Sequence, residues 1–142
     1  IACEHGVECI YVSNHGGRQL DHGLGSVDVL PDVVDAAAGR ASVIVDGGFL
    51  RGTDVIKALA LGADAVCIGK LQGLGLAAGG KDGLFHMLRL LEAEIRTSMS
   101  LLGLHNFEEI DRSFVEEAEP VIDPYQTSPY IHIDFPELEY DR

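Results

Sequence analysis

Three short apolar runs of this chain are each followed by a polar, glycine-rich loop and then by a helical pattern. The runs cover residues 10–12, 42–45 and 65–68 and are rich in β-branched side chains. Runs this short and apolar are typical of buried strands. Regular alternation of strands with helices favours parallel strands joined by right-handed crossovers, so the predicted fold class is α/β.

The segments between and after these strands space their apolar residues as helices do. Ser26 is the expected N-cap of the first helix, and Gly39 and Gly62 are the expected stops of the first two. Helices are therefore predicted over residues 26–39, 52–62, 71–78 and 82–102, with a last helical turn over residues 1–6.

Alternation of strands and helices is compatible with a doubly wound sheet and with a (β/α)8 TIM barrel. The sequences of the loops distinguish between these two architectures. A dinucleotide-binding sheet carries GxGxxG after its first strand and an acid ~20 residues later, and this sequence lacks that string. In barrels, phosphate commonly binds on the loops after strands seven and eight beside an extra short helix. The short helix over residues 71–78 fits that place, so the sequence favours a barrel.

The length of the chain is too small for a whole barrel. A complete barrel usually needs ~250 residues, whereas this chain has 142 and begins with Ile1 rather than Met. Because parallel sheets are covered on both faces, an open part of one should not persist alone in water. We therefore expect the last third to half of a barrel, completed by a missing N-terminal half.

The charge and hydropathy of the chain exclude several classes of partner. A formal net charge of −13 repels phosphate backbones and anionic membrane surfaces, so nucleic acid is not expected as a partner. No apolar run reaches the ~18 residues needed for a membrane span, and no signal peptide opens the sequence. The sequence predicts a soluble, cytoplasmic protein.

Cysteine and histidine usage does not indicate a metal site. Cys3, Cys9 and Cys67 lie in or beside apolar segments without CxxC spacing, which favours reduced, buried thiols. The histidines outside the first loop are scattered without metal-ligand spacing; they are His5, His22, His86, His105 and His132.

His15 and Arg18 lie three residues apart on the loop after the first strand. A histidine can act as a base, and a guanidinium offers the planar fork that binds a carboxylate bidentately. The alternative is a histidine that caps backbone groups and an arginine in a surface ion pair. An isolated HxxR pattern favours that alternative.

Glycines also follow the second and third strands, as Asp46-Gly47-Gly48 and Gly69-Lys70. Glycines let a ligand approach the backbone closely, and free N–H groups can bind phosphate. Tight turns are the other interpretation of these glycines. Two such loops after adjacent strands, the second before a short helix, favour a phosphate site.

The segment Ser13-Asn14-His15-Gly16-Gly17-Arg18-Gln19-Leu20-Asp21 resembles the active-site signature of the FMN-dependent α-hydroxy acid oxidases and dehydrogenases. Two further landmarks of that family follow in order, over residues 46–54 and 61–70. The resemblance covers residues 1–115.

This resemblance implies the sixth, seventh and eighth strands of a TIM barrel that oxidises a small 2-hydroxy acid to a 2-oxo acid with FMN. It implies that His15 is the general base and that Arg18 binds the substrate carboxylate. Asp46 would bind the ribityl chain, and the backbone around Gly47, Gly48 and Gly69 the phosphate. The whole expected cofactor-binding set is Asp46, Gly47, Gly48, Phe49, Leu50, Arg51, Gly69 and Lys70.

Two positions of the phosphate loops depart from the family pattern, which often has arginine where this chain has Leu50 and Lys70. Lysine keeps the charge but loses the bidentate fork, and leucine offers no donor. Arg51 would substitute in part if its side chain turned inward. Two other functions stay open, a non-catalytic barrel half that acts in assembly and another FMN- or phosphate-binding barrel enzyme.

The end of the chain differs in composition from the rest. We expect the barrel portion to cover residues 1–112, and residues 113–142 to form an acidic, proline-containing tail. The tail also carries apolar residues, so we expect it to pack on the barrel or on a neighbouring subunit. Resemblance to oligomeric family members agrees with a homo-oligomer, a tetramer or octamer.

Overall fold

The computed structural model describes residues 1–20 and 22–118. It contains a parallel sheet of three strands in the order β1 (Cys9–Val12), β2 (Ser42–Val45) and β3 (Ala65–Val66). The helices are α1 (Ser26–Ala37), α2 (Gly52–Ala60) and α3 (Lys70–Leu102). The predicted parallel strand–helix alternation is confirmed, although β3 ends at Val66 rather than at residue 68.

One face of the sheet forms the core. Val12, Val43 and Val45 are buried, and they pack with Leu30 of α1 and Ala58 of α2. Side chains alternate between the two faces of a strand, which is why every second residue of β1 and β2 belongs to this cluster. The core is therefore built between the sheet and the helices that connect its strands.

The opposite face of the sheet is not covered by any element within residues 1–20 and 22–118. Cys9 and Ala65 are exposed there, Tyr11 is 53% exposed, and Ile44 is half-buried. The prediction of buried thiols is thus wrong for Cys9, because that residue points to the open face. Cys3 and Cys67 are half-buried, and all three thiols are free.

The start of α1 differs from the prediction. Its N-cap is Gly25 rather than Ser26, because the carboxylate of Asp28 accepts the Gly25 N–H at 2.8 Å and so satisfies the first turn. Ser26 is instead buried, and its Oγ lies 3.0 Å from the point where a Cβ atom on Gly47 would lie. The serine side chain packs beneath a loop.

The segment after β3 contains both predicted helices, joined in one element. The backbone of α3 leaves helical geometry at Gly79 and Gly80, where φ is −162° and 58°. A Cβ atom on Gly83 would collide with the carbonyl oxygen of Gly75, so the two helical parts pack closely around this break. In the described ranges no helix is long and apolar enough to cross a membrane.

Short 3-10 turns complete the fold. Residues Cys3–His5 form one such turn, where the sequence predicts a last helical turn. The others are His15–Gly17, Phe107–Glu109 and Arg112–Phe114. The turn Arg112–Phe114 spans the expected boundary at residue 112 between the barrel portion and the tail. The part of the tail beyond residue 118 lies outside the described residues.

Candidate functional site

Three loops meet at the carboxyl edge of the sheet. Lys70 Nζ, at the start of α3, lies 3.7 Å from the point where a Cβ atom on Gly16 would lie. Asn14 Oδ1 lies 3.7 Å from the corresponding point on Gly47. Because the strands are parallel and adjacent, their carboxyl ends share one edge. The loops in which the sequence predicts functional residues therefore lie side by side, with the loop after β1 next to each of the other two.

The loop after β1 is held by a short network of hydrogen bonds. Asn14 Oδ1 accepts the Gly16 N–H at 2.9 Å, and the Asn14 carbonyl accepts the Gly17 N–H at 3.0 Å. Ser13 Oγ accepts the His15 N–H at 3.1 Å. The two polar residues that precede His15 thus fix the turn that presents it.

His15 has a backbone conformation that is uncommon for a residue with a side chain. Its φ is 55°, and Gly16 and Gly17 follow with φ of 66° and 70°. For a residue other than glycine, such a backbone conformation costs about 1–3 kcal/mol, and residues of this kind concentrate at functional sites. The His15 and Arg18 side chains are exposed, and neither has a hydrogen-bond or ion-pair partner within residues 1–20 and 22–118. The His15 imidazole and the Arg18 guanidinium are therefore accessible to solvent beside this turn.

Asp46 follows the last residue of β2 and is bound by a side chain of β1. The Tyr11 hydroxyl donates to Asp46 Oδ2 at 2.8 Å. The other oxygen, Asp46 Oδ1, is buried and lacks a hydrogen-bond partner in the described residues. A buried acceptor without a donor is costly, so this oxygen is suited to a hydroxyl group of a ligand.

The glycines at the ends of β2 and β3 differ in their backbone conformation and in the space around them. Gly47 and Gly48 have φ of 99° and 81°, a region that side chains rarely adopt. A Cβ atom on Gly48 or on Gly69 would have no atom of the described residues within 4 Å of it. Open space thus lies over the backbone at the ends of both β2 and β3.

Phe49 and Leu50 follow these glycines but point to different surroundings. Phe49 is only 7% exposed and belongs to the core, whereas the Leu50 side chain is exposed. The N–H groups of Leu50 and Arg51 donate to Asp54 Oδ2 at 3.1 and 2.9 Å. Asp54 therefore braces the loop and caps α2.

The Arg51 side chain forms an ion pair with Glu94 of α3. Its Nε lies 2.9 Å from Glu94 Oε1, and Glu94 Oε2 also accepts the Gly52 N–H at 2.8 Å. The Gly52 hydrogen bond, with that of Arg51, lowers the pKa of Glu94. The Arg51 side chain is thus paired with an acidic residue of α3.

The family of this chain is identified by a family model that matches most of its sequence. The family model described as FMN-dependent dehydrogenase matches residues 1–117. The chain belongs to the FMN-dependent dehydrogenase family. The family is FMN-dependent, in agreement with the cofactor expected from the signature of residues 13–21. The match passes residue 112 and ends just before the part of the tail that lies outside the described residues.

Curated relatives of this FMN-dependent dehydrogenase family member are oxidases by name. An L-lactate oxidase from a Nostoc species is 51% identical over 114 residues, which are 80% of this chain and 31% of the relative. The human 2-hydroxyacid oxidase 1 is 47% identical over 116 residues, 82% of this chain and 31% of the relative. The chain thus spans about a third of the length of these relatives.

Solved structures agree with this membership of the FMN-dependent dehydrogenase family. A crystal structure of mandelate oxidase with benzoyl-formic acid matches with a TM-score of 0.75 and 44% identity, over 78% of this chain and 33% of that one. A mandelate oxidase mutant in complex with (S)-mandelic acid gives a TM-score of 0.76 at the same identity and coverage. These neighbours are TIM-barrel flavoenzymes, and the three-stranded sheet is consistent with part of such a barrel.

Sequence reasoning missed two residues of this site, Tyr11 and Glu94. Tyr11 lies within β1, two positions before Ser13, but its contact with Asp46 depends on the register between β1 and β2. Glu94 lies 43 positions after Arg51, and no local pattern marks the pairing. Strand alternation carries a weak signal for Tyr11, and the sequence carries none for Glu94.

Proposed function

We propose that this chain is the carboxyl part of an FMN-dependent 2-hydroxy acid oxidase or dehydrogenase, equivalent to strands six, seven and eight of the barrel. The N-terminal part of the barrel would cover the open face that carries Cys9, Tyr11 and Ala65. Parallel sheets are covered on both faces, and the relatives are about three times longer than the matched region. Both observations support completion by an N-terminal part.

The contact between the His15–Gly17 turn and Lys70 carries the functional proposal. A turn with an exposed base and an exposed guanidinium lies beside the loop that begins α3. Oxidation of a 2-hydroxy acid needs a base, a cation for the carboxylate and an electron acceptor close together. A substrate without a carboxylate would give Arg18 no role.

His15 and Arg18 would divide the work on the substrate. The Arg18 guanidinium binds the carboxylate through paired N–H donors, which orients the 2-hydroxy carbon. The His15 imidazole accepts the proton that leaves as the hydroxy acid becomes a 2-oxo acid. FMN, when bound, would accept the two electrons and the second proton.

The residues at the strand ends fit FMN in three respects. Asp46 Oδ1 is a buried acceptor without a donor in the described residues, which suits a ribityl hydroxyl. The open space over Gly48 and Gly69 suits a phosphate that approaches their N–H groups. Lys70 supplies the cation. Gly47, Phe49, Leu50 and Arg51 would contribute by shaping and bracing the loop rather than through side-chain donors.

Three expectations stay predictions. They are a homo-oligomer of four or eight subunits, a tail packed on the barrel or a neighbour, and a cytoplasmic location. Two plant relatives, from rice and Arabidopsis, are peroxisomal by name, so relatives differ in compartment from the one predicted.

The test uses a complete barrel, which we define as this chain joined to the N-terminal part of the Nostoc L-lactate oxidase. We expect the purified complete barrel to retain FMN and to lose its visible flavin absorbance when L-lactate or (S)-mandelate is added without oxygen. A complete barrel that binds FMN but is not reduced by any 2-hydroxy acid would contradict the proposed reaction.

A further inference from the structure

The side chain of Tyr11 lies on the open face of the sheet and reaches the end of the neighbouring strand. Tyr11 is paired in register with Ile44, two residues before Asp46. Residues two apart on a strand share a face, so Tyr11 and Asp46 lie on the same face. Their hydrogen bond of 2.8 Å therefore runs across the edge where the loops meet.

This bond makes the two oxygens of the Asp46 carboxylate unequal. Oδ2 is occupied by the Tyr11 hydroxyl, while Oδ1 is buried and has no partner in the described part of the chain. The terminal torsion of an aspartate is broad when nothing holds it. A donor fixed on one oxygen removes that freedom and leaves the other oxygen as the acceptor for a ligand.

Tyr11 is suited to remain a donor. The hydrogen bond to Asp46 raises the pKa of its phenol, and burial and the nearby Cys67 add to this effect. The phenol is therefore protonated, and remains a donor, at neutral pH. The Asp46 carboxylate thus keeps its donor under these conditions.

We infer that Tyr11 is a positioning residue for the flavin site, which orients the Asp46 carboxylate so that Oδ1 accepts a ribityl hydroxyl. The inference rests on the proposed function, since it assumes that a flavin binds at these loops. It assigns a ligand-binding effect to a residue outside both the signature turn and the glycine loops. Tyr11 itself need not touch the flavin.

The experiment compares two flavins on the flavin-free complete barrel, with binding followed by quenching of flavin fluorescence. Tyr11→Phe keeps the ring and removes the donor, and we expect it to weaken FMN and riboflavin equally, by about tenfold. Lys70→Ala is the matched control, because it should weaken FMN but not riboflavin, which lacks the phosphate. The ratio of the two dissociation constants thus separates ribityl from phosphate effects.

Asp46→Ala separates positioning from a general loss of packing, because it removes both carboxylate oxygens. Since Tyr11 is inferred to act only through Asp46, we expect Tyr11→Phe to add no further loss in the Asp46→Ala background. A general packing defect would weaken binding by the same factor in both backgrounds and would overturn the inference.

Two further outcomes are distinguishable. Parental riboflavin affinity in Tyr11→Phe would overturn the inference and leave the proposed function intact. A complete barrel with the parental sequence that binds neither flavin would overturn the proposed function and the inference with it.

Discussion

The Glu94 carboxylate joins Arg51 to the first N–H of α2, with 2.9 Å between Arg51 Nε and Glu94 Oε1 and 2.8 Å between Gly52 N and Glu94 Oε2. The pair fastens the N-terminus of α2 to α3. It also pairs the arginine next to Leu50 with an acidic side chain. We therefore propose a division of labour in which Arg51 braces the scaffold and Lys70 binds the phosphate.

This division predicts different effects for two substitutions of basic residues. Lys70→Ala in the complete barrel should weaken FMN binding by about 1.5–3 kcal/mol, the value of a hydrogen bond to a charged group. Arg51→Ala should leave FMN affinity close to parental and lower stability instead. Flavin titration and urea unfolding measure the two effects, and equal losses of FMN affinity in both variants would contradict the division.

The open space over Gly69 predicts a loss of binding without a loss of stability. Gly69 has an ordinary φ of −99°, so Gly69→Ala creates no backbone strain, but its methyl group would enter the space assigned to phosphate. We expect FMN to bind more weakly by about 1–3 kcal/mol, the usual cost of overpacking. Gly73→Ala, which also meets nothing within 4 Å, is the control. Parental FMN affinity in Gly69→Ala would show that phosphate binds elsewhere.

Glu94 predicts a pH dependence of stability. Because the Gly52 and Arg51 contacts lower its pKa in the folded state, its contribution is complete above the ordinary value of about 4.3 and is lost as pH falls through the folded value. The urea midpoints of the complete barrel and of Glu94→Gln should therefore differ at neutral pH and converge as pH falls below about 4.3.

Glu92→Gln is the control for this titration, since Glu92 pairs with Arg96 at 2.8 Å within α3 and does not connect two helices. We expect its midpoint to follow that of the parental barrel at all pH values, because exposed pairs contribute little. A difference between Glu94→Gln and parental that is independent of pH would contradict the role of the carboxylate charge.

The open face of the sheet predicts that residues 1–142 do not fold cooperatively alone. With Tyr11 half-exposed and Ala65 uncovered, the isolated chain lacks one of the two layers that a parallel sheet requires. Near-UV circular dichroism during a urea titration should show no sharp transition, whereas the complete barrel should show one. A monomeric, cooperative transition of the isolated chain would contradict this account.

The sequence predicts β2 to the residue, because a run of β-branched residues between polar loops has a single interpretation. The meeting of the three loops also follows from the sequence, since parallel strands present their carboxyl ends at one edge. The N-cap of α1 cannot be predicted from the sequence. Ser26 packs beneath Gly47 instead of capping the helix, and no local sequence pattern indicates that packing.

The Tyr11–Asp46 and Arg51–Glu94 contacts lie beyond sequence reasoning for a related reason. The first depends on the register of two strands, and the second depends on how α2 packs against α3. Each is a tertiary relationship between segments far apart in the chain. Propensity and periodicity describe segments one at a time, so they identify the loops of the site without the side chains that hold them.

Arg18 and His15 should respond differently to substitution. Arg18→Met removes the carboxylate ligand and should weaken a 2-oxo acid product analogue by about 2–5 kcal/mol, because the ligand charge is left unpaired. His15→Gln should bind the same analogue with near-parental affinity, since a base acts chiefly in the transition state. Titration of the analogue into the FMN-loaded complete barrel measures both affinities, and equal losses in the two variants would refute these roles.

Anaerobic stopped-flow reduction of the flavin in His15→Gln tests the central claim most directly. With L-lactate and the FMN-loaded complete barrel, we expect reduction to slow by about 10²–10⁴-fold relative to parental, the usual contribution of a general base. Reduction of His15→Gln at the parental rate would contradict the assignment of His15 as the base.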